Sequence, residues 1–383
     1  MSLREDFYEK FGGTTNARSF YSPARINIIG EHTDYNGGYV FPCTLDFGTY
    51  GVARKREDNV VRLKSLLYDG EVTFDIDNFS YKKEDGWANY VKGVIDEFIK
   101  AGHTLGGFEI LINSNMPLSS GLSSSASIEV LISKVLETLF ELNVSGVDMA
   151  ILSQKAENNF MNLKCGIMDQ FIIANGKKDK AMLLKCDTLE YTLYDLNLKN
   201  YKIVICNTNK PRNLIESKYN ERLEECFSGL EIFKKFLNIN CLAELSIENF
   251  EKYKKEIKDE KVLKRVKHVV FETKRTLDAT KAMEDGNLKL LGELVTSSHN
   301  SLRDLYEVTG FELDTMVNIA LKQDGVLGAR MTGAGFGGCA ISLVEETLVD
   351  DFIKKVGTDY EKSTKLVPSF YIANIGSGVT ELL

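Results

Sequence analysis

Residues 113–127 read NSNMPLSSGLSSSAS, between a short β-rich run, FEILIN at 108–113, and the segment 126–140. That segment places Ile128, Leu131, Val135 and Leu139 on one face at helical spacing. A strand, a loop of small residues and a helix start, in that order, fix a local topology before anything else in the chain is considered. The first-turn N–H groups of a helix lack intrahelical partners, and the macrodipole adds partial positive charge there, so such a junction suits an anion. Serine hydroxyls can add hydrogen bonds or ligate Mg²⁺, a hard cation that prefers oxygen. One serine is explained as an N-cap. Ser119, Ser120, Ser123, Ser124 and Ser125, grouped around Gly121 and Leu122, exceed what a cap needs, and the loop reads as a phosphate cradle.

The rest of the chain must supply what surrounds that cradle. With 383 residues, two domains are the default expectation. Hydrophobic residues make up 43% and charged residues 27%, which fits a folded chain with a large core. The formal net charge of −8 argues against broad attraction to nucleic acid or an anionic membrane. A polyanion site must therefore be built locally, from backbone amides, a metal and a few basic side chains. Seven scattered cysteines include no C-x-x-C pair, the pattern of reduced thiols rather than of a disulfide framework or a zinc site. The start, MSLREDFYEKFGG, has no apolar signal core, and no apolar run approaches 18 residues. A cytoplasmic protein is expected.

Strand character recurs at 24–29, 201–206, 339–344 and 369–375, a second helix is expected over 149–163, and residues 215–325 are mainly helical with charges of mixed sign. The expectation is an α+β protein of two lobes, 1–180 and 181–383. Two motifs are decoys. Asp46-Phe47-Gly48 spells the metal-binding triplet of protein kinases without their other motifs and is expected at a strand end. Gly333, Gly335 and Gly338 satisfy G-x-G-x-x-G, but strand-like residues follow them where a dinucleotide fold needs a helix. No Walker P-loop occurs, and the four histidines lack metal-ligand spacing.

Two further strings are rich in chemistry. Residues 22–42, SPARINIIGEHTDYNGGYVFP, end a strand at Gly30 and follow it with Glu31, His32, Thr33 and Asp34, a cluster able to meet several adjacent hydroxyls. The same pattern suits a plain polar turn. Residues 155–171, KAENNFMNLKCGIMDQF, carry Glu157 on a helix and Asp169 beyond it.

Together these strings resemble the kinase family of galactokinase, homoserine kinase, mevalonate kinase and phosphomevalonate kinase. PLSSGLSSSAS at 117–127 is similar to its nucleotide motif, and residues 22–42 resemble the signature of the galactokinase branch, with Ala24 where glycine is common. Further resemblance lies at 86–94, 217–226, 297–314 and 330–339. The resemblance implies a two-lobed fold with its active site between the lobes and phosphoryl transfer from ATP to the C1 hydroxyl of galactose. It implies Asp169 as proton acceptor and Arg25 as the stabiliser of the migrating phosphoryl group. Glu31, His32, Thr33, Asp34, Gly166 and Tyr219 would bind the sugar. Residues 119–125 would bind ATP, with Trp87 on the adenine and Ser65 beside the nucleotide. Ser125 and Glu157 would hold Mg²⁺. A monomer with galactose and ATP as its only partners is expected, without nucleic acid or membrane. Two alternatives stay open: another sugar 1-kinase, such as one for N-acetylgalactosamine, and a non-catalytic galactose and ATP sensor.

Overall fold

The computed structural model describes residues 2–117, 121–211 and 215–382, side chains at 215–217 excepted. The expected Ser119 and Ser120 lie outside the described residues.

A six-stranded sheet runs in the order Thr380–Leu382, Arg18–Asn27, Pro42–Lys55, Phe108–Ser114, Val60–Ser65, Glu71–Asp75. Its neighbours are antiparallel except for Val60–Ser65 against Phe108–Ser114. The parallel pair sends strand Phe108–Ser114 toward the serine loop and into helix Ser124–Leu139. That helix buries Leu131, Ile132, Val135 and Leu136 against Phe20, Ala53, Ile110 and Ile112 of the sheet and against helix Ala88–Lys100. Ile128 and Leu139 pack at the margin of the same core, so the apolar stripe faces where its periodicity predicts.

A four-stranded antiparallel sheet, ordered Val326–Thr332, Cys339–Glu345, Tyr201–Asn207, Ser369–Ile372, carries the second half. It is flanked by helices that include Ile215–Phe233, Glu260–Glu284, Leu288–Ser301 and Val349–Thr364. Strands Val326–Thr332 and Cys339–Glu345 pair as a hairpin around the glycine-rich 333–338, which removes any dinucleotide reading. One apolar core joins the halves, with Ala24, Ile26 and Phe41 beside Ile203, Ala279, Leu291 and Ile341.

Two expectations need adjusting. Strands Lys180–Lys185 and Glu190–Asp195 pair with each other, and the first pairs with Tyr39–Val40. Hydrogen bonding thus places residues 180–195 with the first half, where the sequence suggested a boundary near 180. Asp46-Phe47-Gly48 does not end a strand. It lies inside Pro42–Lys55, beside the register shift between Pro23 and Arg25. A Cβ at Gly48 would strike the Ser22 carbonyl, so the glycine permits close strand approach. Among the described residues no helix is long and apolar enough to cross a membrane.

Candidate active site

A cavity of about 210 Å³ opens where the end of strand Arg18–Asn27, the turn after it, the loop before helix Met168–Asn175 and helix Ile215–Phe233 meet. Arg25, Glu31, Asp34, Glu157, Gly166, Asp169 and Tyr219 line it, residues separated by up to 194 positions in the chain.

At its floor Arg25 holds Asp169 with both faces of the guanidinium fork, Nε to Oδ1 at 2.7 Å and Nη2 to Oδ2 at 2.6 Å. The third arm, Nη1, donates to the Gly121 carbonyl at 2.9 Å, tying the pair to the serine loop. Arg25 is 4% exposed. Burial opposes its charge, but the Asp169 carboxylate more than offsets this and the guanidinium is held above its ordinary range. The Ser123 hydroxyl also donates to Asp169 Oδ2. A planar bidentate pair of this kind fixes orientation as well as charge.

The turn at 30–38 divides its polar side chains between cavity and scaffold. Asp34 faces the cavity, and its carboxyl is pushed up to about 7 by burial first and by the Asp169 charge second. A Cβ on Gly166 would overlap the Asp34 carboxylate, so no larger residue fits there without moving it. The Gly166 N–H faces the Tyr219 hydroxyl across the same wall, leaving that hydroxyl its own hydrogen to donate. Glu31 lines the cavity but is heavily engaged, accepting from Asn27 Nδ2 and the Gly333 N–H and lying 3.1 Å from Arg330 Nη2. Burial raises its pKa against those positive neighbours. His32 has both ring nitrogens engaged, Nδ1 with the Tyr35 hydroxyl at 2.8 Å and Nε2 with the Ala334 carbonyl at 3.2 Å. Burial drives it down to about 3, so the ring is neutral. Thr33 does not line the cavity; its buried hydroxyl lies 2.8 Å from the carbonyls of Gly30 and Tyr39 and braces the turn.

Glu157 occupies a one-turn π-helix, Ala156–Phe160, a widening that turns it toward the cavity. Its carboxyl accepts from Gln170 Nε2 at 2.8 Å, with the Cys165 thiol at 3.5 Å and the Ser125 hydroxyl beside it. Burial, then the Asp169 charge, lifts it to about 7, and no basic side chain pairs with it among the described residues. A buried carboxylate and an adjacent hydroxyl, both hard oxygen donors, fit Mg²⁺.

Among the described residues, the other expected nucleotide positions, Ser65, Trp87 and 121–124, do not line this cavity. Leu122 is buried, with its carbonyl accepting from the Arg25 N–H, and Ser124 is exposed at the helix start. Ser65 sits opposite Ile112 in the parallel pair, close to where strand Phe108–Ser114 enters the loop. Trp87 precedes helix Ala88–Lys100 and packs on the core containing Ile112. Sequence reading overlooked Arg330, Gln170 and Tyr306. Arg330 opens the stretch 330–339, RMTGAGFGGC, yet its contact with Glu31 spans 299 residues. Tyr306 hydrogen-bonds Tyr35 at 2.8 Å and packs on His32 with ring centroids 4.8 Å apart. No spacing rule announces such contacts.

Family models match along the chain: the N-terminal domain of the GHMP kinases at residues 89–177, their C-terminal domain at 279–362, and the galactose-binding signature of galactokinases at 5–55. A Methanococcus jannaschii mevalonate kinase superimposes with a TM-score of 0.66 at 20% identity, over 95% of this chain and 99% of that one, which fixes the fold. Fold and site define the class, an ATP-dependent small-molecule kinase of the GHMP type. A galactokinase of Clostridium perfringens strain 13 is 50% identical over 384 residues, covering 100% of this chain and 99% of its own. The crystal structure of Lactococcus lactis galactokinase complexed with galactose matches with a TM-score of 0.97 at 51% identity, over 99% of each chain. The chain belongs to the galactokinase family.

Proposed function

We infer that this protein transfers the γ-phosphoryl group of ATP to the C1 hydroxyl of galactose. The observation that carries this reading is the Arg25–Asp169 pair, which joins the cavity lined by Asp34 and Tyr219 to the serine loop through Gly121. Phosphoryl transfer asks mainly for positioning and for neutralisation of charge. Asp34, Glu31 and Tyr219 hold the sugar hydroxyls, and the scaffolding bonds of Glu31 and His32 keep that wall rigid. Asp169 accepts the C1 hydroxyl proton. Arg25 faces both this carboxylate and the loop and stabilises charge on the phosphoryl group in transit. Residues 119–125 cradle the phosphates with backbone amides, with Trp87 and Ser65 on the nucleoside side. Ser125 and Glu157 would hold Mg²⁺, which when bound neutralises phosphate charge.

A coupled assay with MgATP across galactose, N-acetylgalactosamine, glucose and arabinose, with homoserine and mevalonate alongside, tests the reading. ADP release with galactose is the expected result; turnover of homoserine or mevalonate without it would sink the assignment. The same reading takes the working unit to be a cytoplasmic monomer. Its seven cysteines are all free thiols, and light scattering should return about one chain mass, 43.0 kDa.

Asp34→Ala and Tyr219→Phe should raise the KM for galactose roughly ten- to a hundred-fold while leaving that for ATP nearly unchanged, because each removes a hydrogen bond involving or beside a charge. An ATP-specific defect in Asp34→Ala would put the motif on the wrong ligand. Glu157→Ala should weaken the response of rate to magnesium while calorimetry still shows galactose binding. Loss of galactose affinity with an unchanged magnesium dependence contradicts the role.

Asp34 also gives a stability signature. Its folded pKa of about 7 lies above the ordinary aspartate range of about 4, so the folded state binds the proton more tightly than the unfolded chain. That contribution is complete below about pH 4 and is lost as pH rises through about 7. Asp34→Asn should therefore melt a few degrees higher than the parent at about pH 8, with the gap closing toward about pH 4. A pH-independent gap would show that Asp34 is not held protonated by its surroundings.

A further inference from the structure

Ser123 adopts a conformation that its place in the loop does not require. It directly precedes helix Ser124–Leu139 with φ 66° and ψ 51°, the left-handed region where glycine or asparagine is at home. Serine before a helix ordinarily has extended backbone and turns its hydroxyl onto a first-turn N–H. Here the side chain makes no capping bond. It is 8% exposed and gives its hydroxyl to Asp169 Oδ2 instead. A non-glycine residue kept in a strained conformation beside a site is grounds for asking what the strain secures.

The answer lies in how the oxygens of Asp169 are shared out. Oδ2 accepts from both Arg25 Nη2 and Ser123 Oγ, which uses its two lone pairs. Oδ1 accepts from Arg25 Nε, which leaves one lone pair for a substrate hydroxyl. We propose that Ser123 is a positioning residue for phosphoryl transfer: its hydroxyl saturates one oxygen of Asp169, so that the other takes the sugar proton, and couples the carboxylate to the seating of the phosphate loop. With the Arg25 bond to the Gly121 carbonyl, the loop grips the reacting pair at two points. This goes beyond a phosphate-contacting role for Ser123 and rests on the reading of Asp169 as the group facing the C1 hydroxyl.

The experiment compares Ser123→Gly with Ser123→Ala, each alone and combined with Asp169→Asn. Glycine suits the left-handed backbone and removes only the hydroxyl, whereas alanine retains the strain. Both should lower kcat about tenfold or more, as loss of a hydrogen bond to a charged group does. The galactose Kd from calorimetry and the KM for ATP should stay within about threefold of the parent, and Ser123→Gly should melt no lower than the parent. On the Asp169→Asn background the added Ser123→Gly should change kcat by less than about twofold, because the oxygen it tunes no longer takes the proton. A parent-like kcat in Ser123→Gly overturns the proposal, and so does a defect confined to the KM for ATP, which would mark a phosphate contact alone. A kcat loss that tracks a fall in melting temperature in both variants overturns it in favour of a structural role. A full loss in Asp169→Asn with an unaffected Ser123→Gly removes this proposal alone. Near-normal turnover in Asp169→Asn removes the base assignment and the proposal with it.

Discussion

Asp169→Asn should lower turnover by about 10²–10⁴-fold, the range seen when a general base is lost, while galactose still binds. The substitution preserves shape but removes the negative charge and the capacity to take a proton. Asparagine can still place one carbonyl oxygen in the Arg25 fork, so the cavity should survive. Single-turnover rates, which exclude product release, measure the effect directly. Calorimetry with galactose checks that the sugar wall formed by Asp34 and Tyr219 is intact. If Asp169→Asn turns over at a near-normal rate, catalysis rests on positioning by the loop and Arg25.

Arg25→Ala should be of comparable size, about 10³-fold or more in kcat, since an arginine at a transferring phosphoryl group stabilises charge that peaks in the transition state. Arg25 is nearly buried and uses three donors, two on Asp169 and one on the Gly121 carbonyl. Its removal frees both the carboxylate and the loop. The losses in Arg25→Ala and Asp169→Asn should therefore not add: the double variant should be close to the worse single one. The competing account is a structural ion pair, under which both variants would lose thermal stability in proportion to activity. Asp169 keeps 28% of its side chain exposed, so the uncovered charge can hydrate and the stability loss should be modest. Melting curves for the three variants, set beside their single-turnover rates, separate the two accounts.

The parts of this molecule legible in the sequence are those whose physics is local. Strand Phe108–Ser114 and helix Ser124–Leu139 carry their periodicity within a few residues, and Glu31, Asp34, Glu157 and Asp169 stood in quotable strings. What the side chains do within those strings was less legible. Thr33 looked like another sugar contact, but its hydroxyl is committed to carbonyls on either side of its own turn. Glu31 and His32 are partly scaffold because Arg330, Gly333 and Ala334 reach them from a hairpin 299 to 302 residues away. Asp46-Phe47-Gly48 misled because three residues matching a motif say nothing about the strand that contains them.

The stitching between strand Arg18–Asn27 and the 326–345 hairpin has a wider consequence. Thr332 exchanges hydrogen bonds with Asn27, its hydroxyl accepting from the N–H and donating to the carbonyl at 3.1 Å each, and Arg330 Nη1 donates to that carbonyl at 3.0 Å. All three residues are buried, so rocking one half against the other here would strand polar groups away from water. On the reading proposed above, the sugar wall is braced by the chain itself, so little ordering entropy should be spent on capture and selectivity should rest on fixed shape. Redirecting this scaffold to a bulkier sugar therefore calls for carving space beside Gly166 and Tyr219; loosening the frame would sacrifice affinity for every sugar alike.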